Sequence, residues 1–467
     1  MHRTRILLFA LAVNLFITPL YASSTDEIAG RWEGEIALPN GRLQVMVDLE
    51  ENDGAWSGTV DIPQQGAEDL PLAVELDGDT ITMEIEGIPG TPTFRGAIED
   101  EMLKGTFTQG AAILPFELGR DAIAPPNRPQ EPKPPYPYDE EEVTFSHGDI
   151  TLAGTLTLPR EEGPHPAVAM ITGSGPQDRD EALFDHKPFK VIADHLTRRG
   201  IAVLRYDDRG FGESTGDFAT ATSEDFTDDA LAAVAFLRER DEIDKRRIGL
   251  IGHSEGGIIG PMAASRSDQV KFVVMLAGPG VPGEDILRLQ LELLARAGGM
   301  TQAMIDKNLE MQAEAFTLMR EEKDEAKLEA AMLELARRQI EFAGGFETEE
   351  EIEAAAQAAV AQTLSPWFRF FTDYDPRTAL RNVDVPVLAL WGGRDLQVDA
   401  RQSLAEVGKA LFEAGNLDVT LRTFPKANHL FQTATTGAVT EYATIEETMD
   451  PDVLDAIGFW IESRYVD

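Results

Sequence analysis

The chain has no cysteine among its 467 residues. This removes disulfides, a lipid-anchored cysteine, thiolate metal ligands and a cysteine nucleophile. Basic residues are scarce: 41 Lys and Arg stand against 82 Asp and Glu, a formal charge of −41. Such a surface repels phosphates and anionic headgroups, so neither nucleic acid nor an anionic membrane is an expected partner. The acidic residues read as a solvated face suited to solubility, and to salt if the habitat is saline. No cluster of His or Cys stands at metal-ligand spacing, so no metal and no cofactor is expected. Long apolar runs are lacking too. The one at the start, Ile6 to Ile17, is too short to span a bilayer comfortably. With Arg3 and Arg5 before it and Pro19 and "YASS" after it, it has the three-part layout of a secretory signal. Residues 1–22 are therefore expected to be removed after Ala22, or at Ser24, and the mature protein to be periplasmic or extracellular without a stable membrane anchor.

At 43% hydrophobic residues, a chain of this length buries at least two cores. Over residues 24–120, "RLQVMVDLE", "WSGTVDI" and "TITMEIEG" alternate apolar and polar side chains, with "NG", "DG" and "GD" pairs between them. That pattern predicts a small all-β domain, and no 33 to 50 residue repeat suggests propeller blades. Residues 121–141 read as a linker, because 7 of the 27 prolines fall between Ala124 and Pro137. From 142 to 467 the period alternates between 2 and 3.6. Apolar runs at Ala167–Ile171, Ile201–Leu204, Ile248–Ile251, Phe272–Leu276 and Val387–Leu390 are separated by helical stretches, one with the stripe Phe226, Ala230, Val234, Leu237. Strands buried on both faces with helices between them predict a mostly parallel α/β sheet.

A serine interrupts this pattern at an informative place. In "RRIGLIGHSEGGIIGPMAAS", Ser254 stands between a strand and a helix, flanked by Gly252 and Gly256. This is the nucleophile elbow, in which small neighbours let a strained serine backbone fit between strand and helix. A serine hydroxyl needs a base, and the base needs an orienting acid. Of the histidines at 2, 147, 165, 186, 195, 253 and 429, only His429 follows Ser254, in "FPKANHLFQ" after a strand. The chain order nucleophile, acid, base then selects an aspartate between them. Asp395, after "VPVLALWGG", lies at the carboxyl end of the sheet where such sites form. Asp399 is the alternative, whereas Asp373, Asp375 and Asp384 precede the strand. Backbone N–H groups of Glu255 and of Ser174, in "TGSGPQDRD", are the expected oxyanion donors. "DRD" at 178–180 and "YDDRGFGES" at 206–214 read as ion-paired loops at the mouth of the site.

In order, "TGSGPQDRDE", "KPF", "ADHL", "AVLRYDDRGFGES", "GHSEGG", "GGRDLQV" and "NHLFQ" resemble the bacterial EstD-like carboxylesterases of the α/β-hydrolase superfamily over residues 140 to 467. The resemblance implies an α/β-hydrolase fold and a serine esterase acting on short acyl esters, with the nucleophile at Ser254, the acid at Asp395 and the base at His429. A small-molecule ester is then the expected partner. Acyl-thioester hydrolysis and a prolyl-oligopeptidase-like peptidase use the same triad, although the β region is too short for the latter's propeller. A non-catalytic ligand-binding protein conflicts with an intact triad. Between Phe272–Leu276 and Val387–Leu390, residues 284–367 read as a helical cap over Ser254. Its stripes are Leu287, Leu291, Leu294 and Leu328, Met332, Leu335, with "AGG" breaks at 297–299 and 343–345. Met300, Met304, Met311, Met319 and Met332 are candidates for an adaptable wall around the acyl chain.

Overall fold

The structure, a computed structural model, describes residues 28–466 except 39–40, 53, 63–66, 87–90, 110–111, 121–126 and 345–347. The signal segment, its cleavage site, the start of the linker and Gly345 of the second "AGG" lie outside the described residues. Eight antiparallel strands, from β1 (Gly30–Leu38) to β8 (Ala112–Gly119), follow one another around a closed barrel. Closure comes from pairing of β1 with β8, Glu33 opposite Gly119 through Ile36 opposite Phe116. Closure removes the open edges that a small sheet would otherwise expose. The inward residues of the alternating strands fill the interior: Trp32, Phe94 and Phe116 are each at most 1% exposed. Arg120 stacks its guanidinium 3.7 Å from the Trp32 ring centroid.

Beyond the barrel lies the proline-rich segment that its composition marks as an extended linker. Its side chains dock. Arg128 donates to the carbonyls of Phe184, Ala443 and Ile445. Gln130 donates to the Met449 carbonyl and accepts from the Thr448 and Met449 amides, and buried Tyr138 donates to Asp194. The second sheet begins at Asp139, inside the segment read as linker.

That sheet has eight strands: β9 (Asp139–His147), β10 (Ile150–Leu158), β11 (His165–Ile171), β12 (Ala202–Tyr206), β13 (Ile243–His253), β14 (Val273–Leu276), β15 (Val387–Gly392) and β16 (Val419–Phe424). Their spatial order is β16-β15-β14-β13-β11-β12-β10-β9. From β12 to β16 all neighbours are parallel, and β10 and β9 add an antiparallel hairpin. The chain winds outward from β11 in both directions, so the switch point lies between β11 and β13. Ligands in open α/β sheets collect beyond the carboxyl ends of strands at such a point. On one face pack α2 (Ser223–Glu239), α3 (Gly256–Arg266) and α10 (Ala400–Glu413); on the other pack α1 (Pro188–Thr197) and α11 (Pro451–Tyr465).

Helices α4 (Gly283–Ala297), α5 (Gln302–Glu321), α6 (Glu325–Ala343), α7 (Glu349–Thr363) and α8 (Pro366–Asp373) separate β14 from β15, followed by the short α9 (Arg377–Leu380). Helix α4 stops at the first "AGG", and α6 stops before Gly344 at φ +74°. Helices α5 to α7 have a core of their own, and it contains Met311 and Met332. Those two methionines are therefore helix packing, while Met300 and Met304 are exposed. Helix α8 packs differently: Trp367, Phe370 and Phe371 meet Ile258 and Met262 of α3.

Candidate active site

Strand β13 delivers the chain to Ser254 at φ +51°, a left-handed conformation that a non-glycine residue keeps only under constraint. The constraint is crowding. A Cβ on Gly252 would lie 1.9 Å from the Gly256 carbonyl oxygen, and one on Gly256 would lie 2.3 Å from that of Ile171. Only glycines allow strand, turn and helix this close. Ser254 N–H donates to the Leu276 carbonyl at 2.8 Å, which locks the turn onto β14. Helix α3 begins immediately after Glu255, so its positive end faces the turn.

The turn after β11 lies against this elbow. A Cβ on Gly173 would come within 3.3 Å of the Ser254 Cβ. Ser174 follows in the same turn, whose Gly173 amide donates to Glu181 Oε1 at 2.9 Å.

Asp395 and His429, 34 residues apart in sequence, meet in space. His429 Nδ1 donates to Asp395 Oδ2 at 2.8 Å, and both residues are buried. Asp395 Oδ1 accepts the N–H groups of Gln397 at 2.8 Å and Val398 at 2.9 Å. Its orientation is thus fixed by backbone. Asp399 instead caps α10 and pairs with Arg401. The loop carrying His429 is braced by Asn428 and Gln432, which exchange two hydrogen bonds at 2.8 and 2.9 Å. His429 approaches the elbow through His253: their ring centroids are 4.8 Å apart.

The acidic loops are ion-paired, as their composition suggests. Arg179 bridges Asp207, Glu213 and Glu142, Arg205 pairs with Asp180 and Glu140, and Arg209 pairs with Asp229. Arg179 holds the Asp207 carboxyl below its ordinary range, against the opposing effect of burial.

Two side chains beside the site carry no sequence-based assignment. Glu255, 2% exposed, accepts from Ser223 Oγ at 2.6 Å and from the Trp367 indole N–H at 2.9 Å. Burial raises its carboxyl above the usual range, partly offset by these donors and Ser174. His253 lies between Glu181 and the His429 backbone. Both belong to motifs visible in the sequence, but nothing in a linear reading gives their partners.

A strained serine at the switch point of an open α/β sheet, with a buried imidazole–carboxylate pair on neighbouring loops, defines the architecture of an α/β hydrolase. The alpha/beta hydrolase family profile matches residues 173–441, more than half of the chain, and the protein belongs to that family. Esterase EstD of Thermotoga maritima is 29% identical over 321 residues, covering 68% of each chain. A thiohydrolase of Arthrinium phaeospermum, apmlB, is 34% identical over 148 residues, 30% of this chain and 44% of the relative. Among solved structures, an esterase of Pyrococcus furiosus aligns over 74% of this chain and all of its own, with 15% identity and a TM-score of 0.43.

Proposed function

We propose that the protein is an exported serine carboxylesterase that hydrolyses short-chain acyl esters through an acyl-enzyme. The observation that carries this reading is the 2.8 Å pairing of His429 Nδ1 with a backbone-fixed Asp395, on loops next to an elbow serine at φ +51°. In this reading Ser254 Oγ attacks the ester carbonyl carbon while its proton passes to His429 Nε2. Asp395 keeps the His429 proton on Nδ1 and stabilises the imidazolium. Amides of Ser174 and Glu255, aided by the α3 dipole, hold the tetrahedral oxyanion. The C–O bond breaks as the imidazolium protonates the departing alkoxide, and water then repeats the sequence on the acyl-enzyme. The route needs no metal or cofactor.

The helical segment 284–367 acts as a cap that limits acyl length. Support for this comes from Trp367, whose indole bonds the carboxylate of the residue following Ser254. A thioester reading uses the same site, and the match to apmlB keeps it in view. The peptidase reading is weaker, since an eight-stranded barrel stands where a propeller would be needed. Export rests on the N-terminal sequence alone.

A fluorophosphonate should add one phosphonyl group at Ser254 and abolish hydrolysis, and Ser254→Ala should lose several orders of magnitude in kcat. A panel of esters of increasing acyl length, with a thioester and an aminoacyl amide, reads the substrate class. Hydrolysis should rise by at most about 0.8 kcal/mol per methylene and then drop at the wall of the pocket. Retention of most activity by Ser254→Ala would refute the assignment.

A further inference from the structure

His253 precedes the candidate nucleophile, yet the mechanism above does not use its side chain. It is 6% exposed, and both ring nitrogens are engaged. Nε2 lies 3.0 Å from the His429 carbonyl oxygen, which can only accept, so Nε2 carries a proton. Nδ1 lies 2.9 Å from Glu181 Oε1, a contact that also requires a proton between the two atoms. The same Oε1 accepts Gly173 N–H at 2.9 Å. Glu181 is 3% exposed and is held at φ +52°, so a charged side chain and a strained backbone are kept together inside the protein. Such a combination is retained only where the surroundings over-determine it.

We propose that Glu181 and His253 are positioning residues, a buried carboxylate–imidazolium pair that joins the Gly173 turn, the Ser254 elbow and the His429 backbone in one chain of hydrogen bonds. The inference rests on the reading of Ser254 and His429 given above. Three loops that must meet to make the site leave three different strands, β11, β13 and β16. The pair spans all three. Its proton count is fixed by the acceptors: if the Nδ1 proton leaves, a bare nitrogen faces a carboxylate, and the ring keeps its hold on His429 only by repelling Glu181. Burial opposes a charge on His253, but the Glu181 charge and hydrogen bond, the His429 carbonyl and the charge of Asp395 together raise its pKa. Of the titratable groups around the pair, Asp395 and His429 face it from the loops after β15 and β16. Asp208, after β12, lies within reach of the Glu181 charge, which helps raise the Asp208 carboxyl, chiefly lifted by burial. The remaining walls are apolar, with Phe189, Leu276, Phe431 and Met449 around His253 and Glu181.

Glu181→Gln separates positioning from mere structure. The amide oxygen still accepts Gly173 N–H, but no negative charge then holds the Nδ1 proton. A neutral His253 must choose between the introduced amide and the His429 carbonyl. In the variant, burial is no longer opposed by the Glu181 charge, so kcat should lie roughly tenfold or more below the native value across pH ~7 to 9, with KM within a few-fold. Nitrogen-15 NMR of the native protein, with His253 assigned by comparison with His253→Asn, tests the pair without depending on variant activity. Both ring nitrogens should remain protonated at pH 8. A neutral His253 ring at pH 8, or a Glu181→Gln profile superimposable on the native one, overturns the proposal. Failure of the underlying reading shows elsewhere, as activity surviving Ser254→Ala while the NMR signature is intact.

Discussion

Asp395→Asn is the sharpest test of the acid, because the backbone leaves the substituted side chain no good arrangement. The carboxylate accepts from Gln397 and Val398 N–H through Oδ1 and from His429 Nδ1 through Oδ2. An asparagine has one acceptor oxygen and one NH2 group. With its oxygen toward the two backbone amides, its NH2 group points at His429 Nδ1, which must give up its proton. The proton then sits on Nε2, and the base cannot accept one from Ser254. Flipping the amide restores the His429 contact but sets NH2 against two N–H donors. Two buried donors left unpaired cost about 1–3 kcal/mol each, so the first arrangement wins. Catalysis by the wrong tautomer should be about 10³ to 10⁴ lower in kcat, or about 4–5.5 kcal/mol in barrier. Steady-state hydrolysis of a short ester measures it, with circular dichroism to confirm folding. Asp399→Asn is the control: it weakens the cap of α10 by up to about 1 kcal/mol and leaves kcat largely unchanged. If Asp395→Asn kept activity within tenfold of native, the tautomer argument and the assignment of the acid would both fail.

Trp367→Phe removes the indole donor to buried Glu255 while keeping an aromatic ring on α8. It should lower the unfolding free energy measured in urea by about 1.5–3 kcal/mol and shift the acyl-length preference, whereas an unchanged preference would detach α8 from the site. His186 is buried between Thr448 and the Tyr442 carbonyl, and burial, helped by Arg128, lowers its pKa to about 4. An unfolded histidine titrates near 6.5, so the unfolded state takes up the proton first, and stability should decline as pH falls from about 6.5 to 4, by on the order of 3 kcal/mol. His186→Asn should flatten that part of the stability curve; an unchanged slope would assign it to other groups.

What the sequence made legible depended on whether a residue's role was local or a matter of chain order. The elbow is local: the crowding around Gly252 and Gly256 is met by neighbours within a few residues and by the adjoining strand. His429 follows from order, as the sole histidine after Ser254. The helix ends at Ala297 and Ala343 are set by the glycines that follow. Other features depend on partners far along the chain. Glu181 and His253 are 72 residues apart and Glu255 and Trp367 are 112 apart, and a linear reading assigns a glutamate to solvent by default. Barrel closure needs the register of β1 on β8, which alternation does not contain. The docking of the proline-rich segment is likewise absent from its composition. Its prolines fix an extended backbone, but Arg128 and Gln130 decide that it docks.

In the proposed mechanism the two buried glutamates pose an electrostatic problem, because an oxyanion has to be stabilised beside them. Like unit charges ~6 Å apart at an effective dielectric of ~20 repel by roughly 3 kcal/mol, about a hundredfold in rate. Glu181 and Glu255 both reach the turns that carry the proposed oxyanion donors, Glu181 through Gly173 N–H and Glu255 through its own backbone. Each has a different remedy. Glu181 faces a proton on His253, so the pair carries no net charge. The bonds to Glu255 come from neutral donors instead; burial raises its pKa toward the neutral acid, and Ser223, Ser174 and Trp367 spread what charge it keeps. The positive end of α3 thus remains available to the developing negative charge. The site tolerates two carboxylates because one is paired and the other is pushed toward protonation.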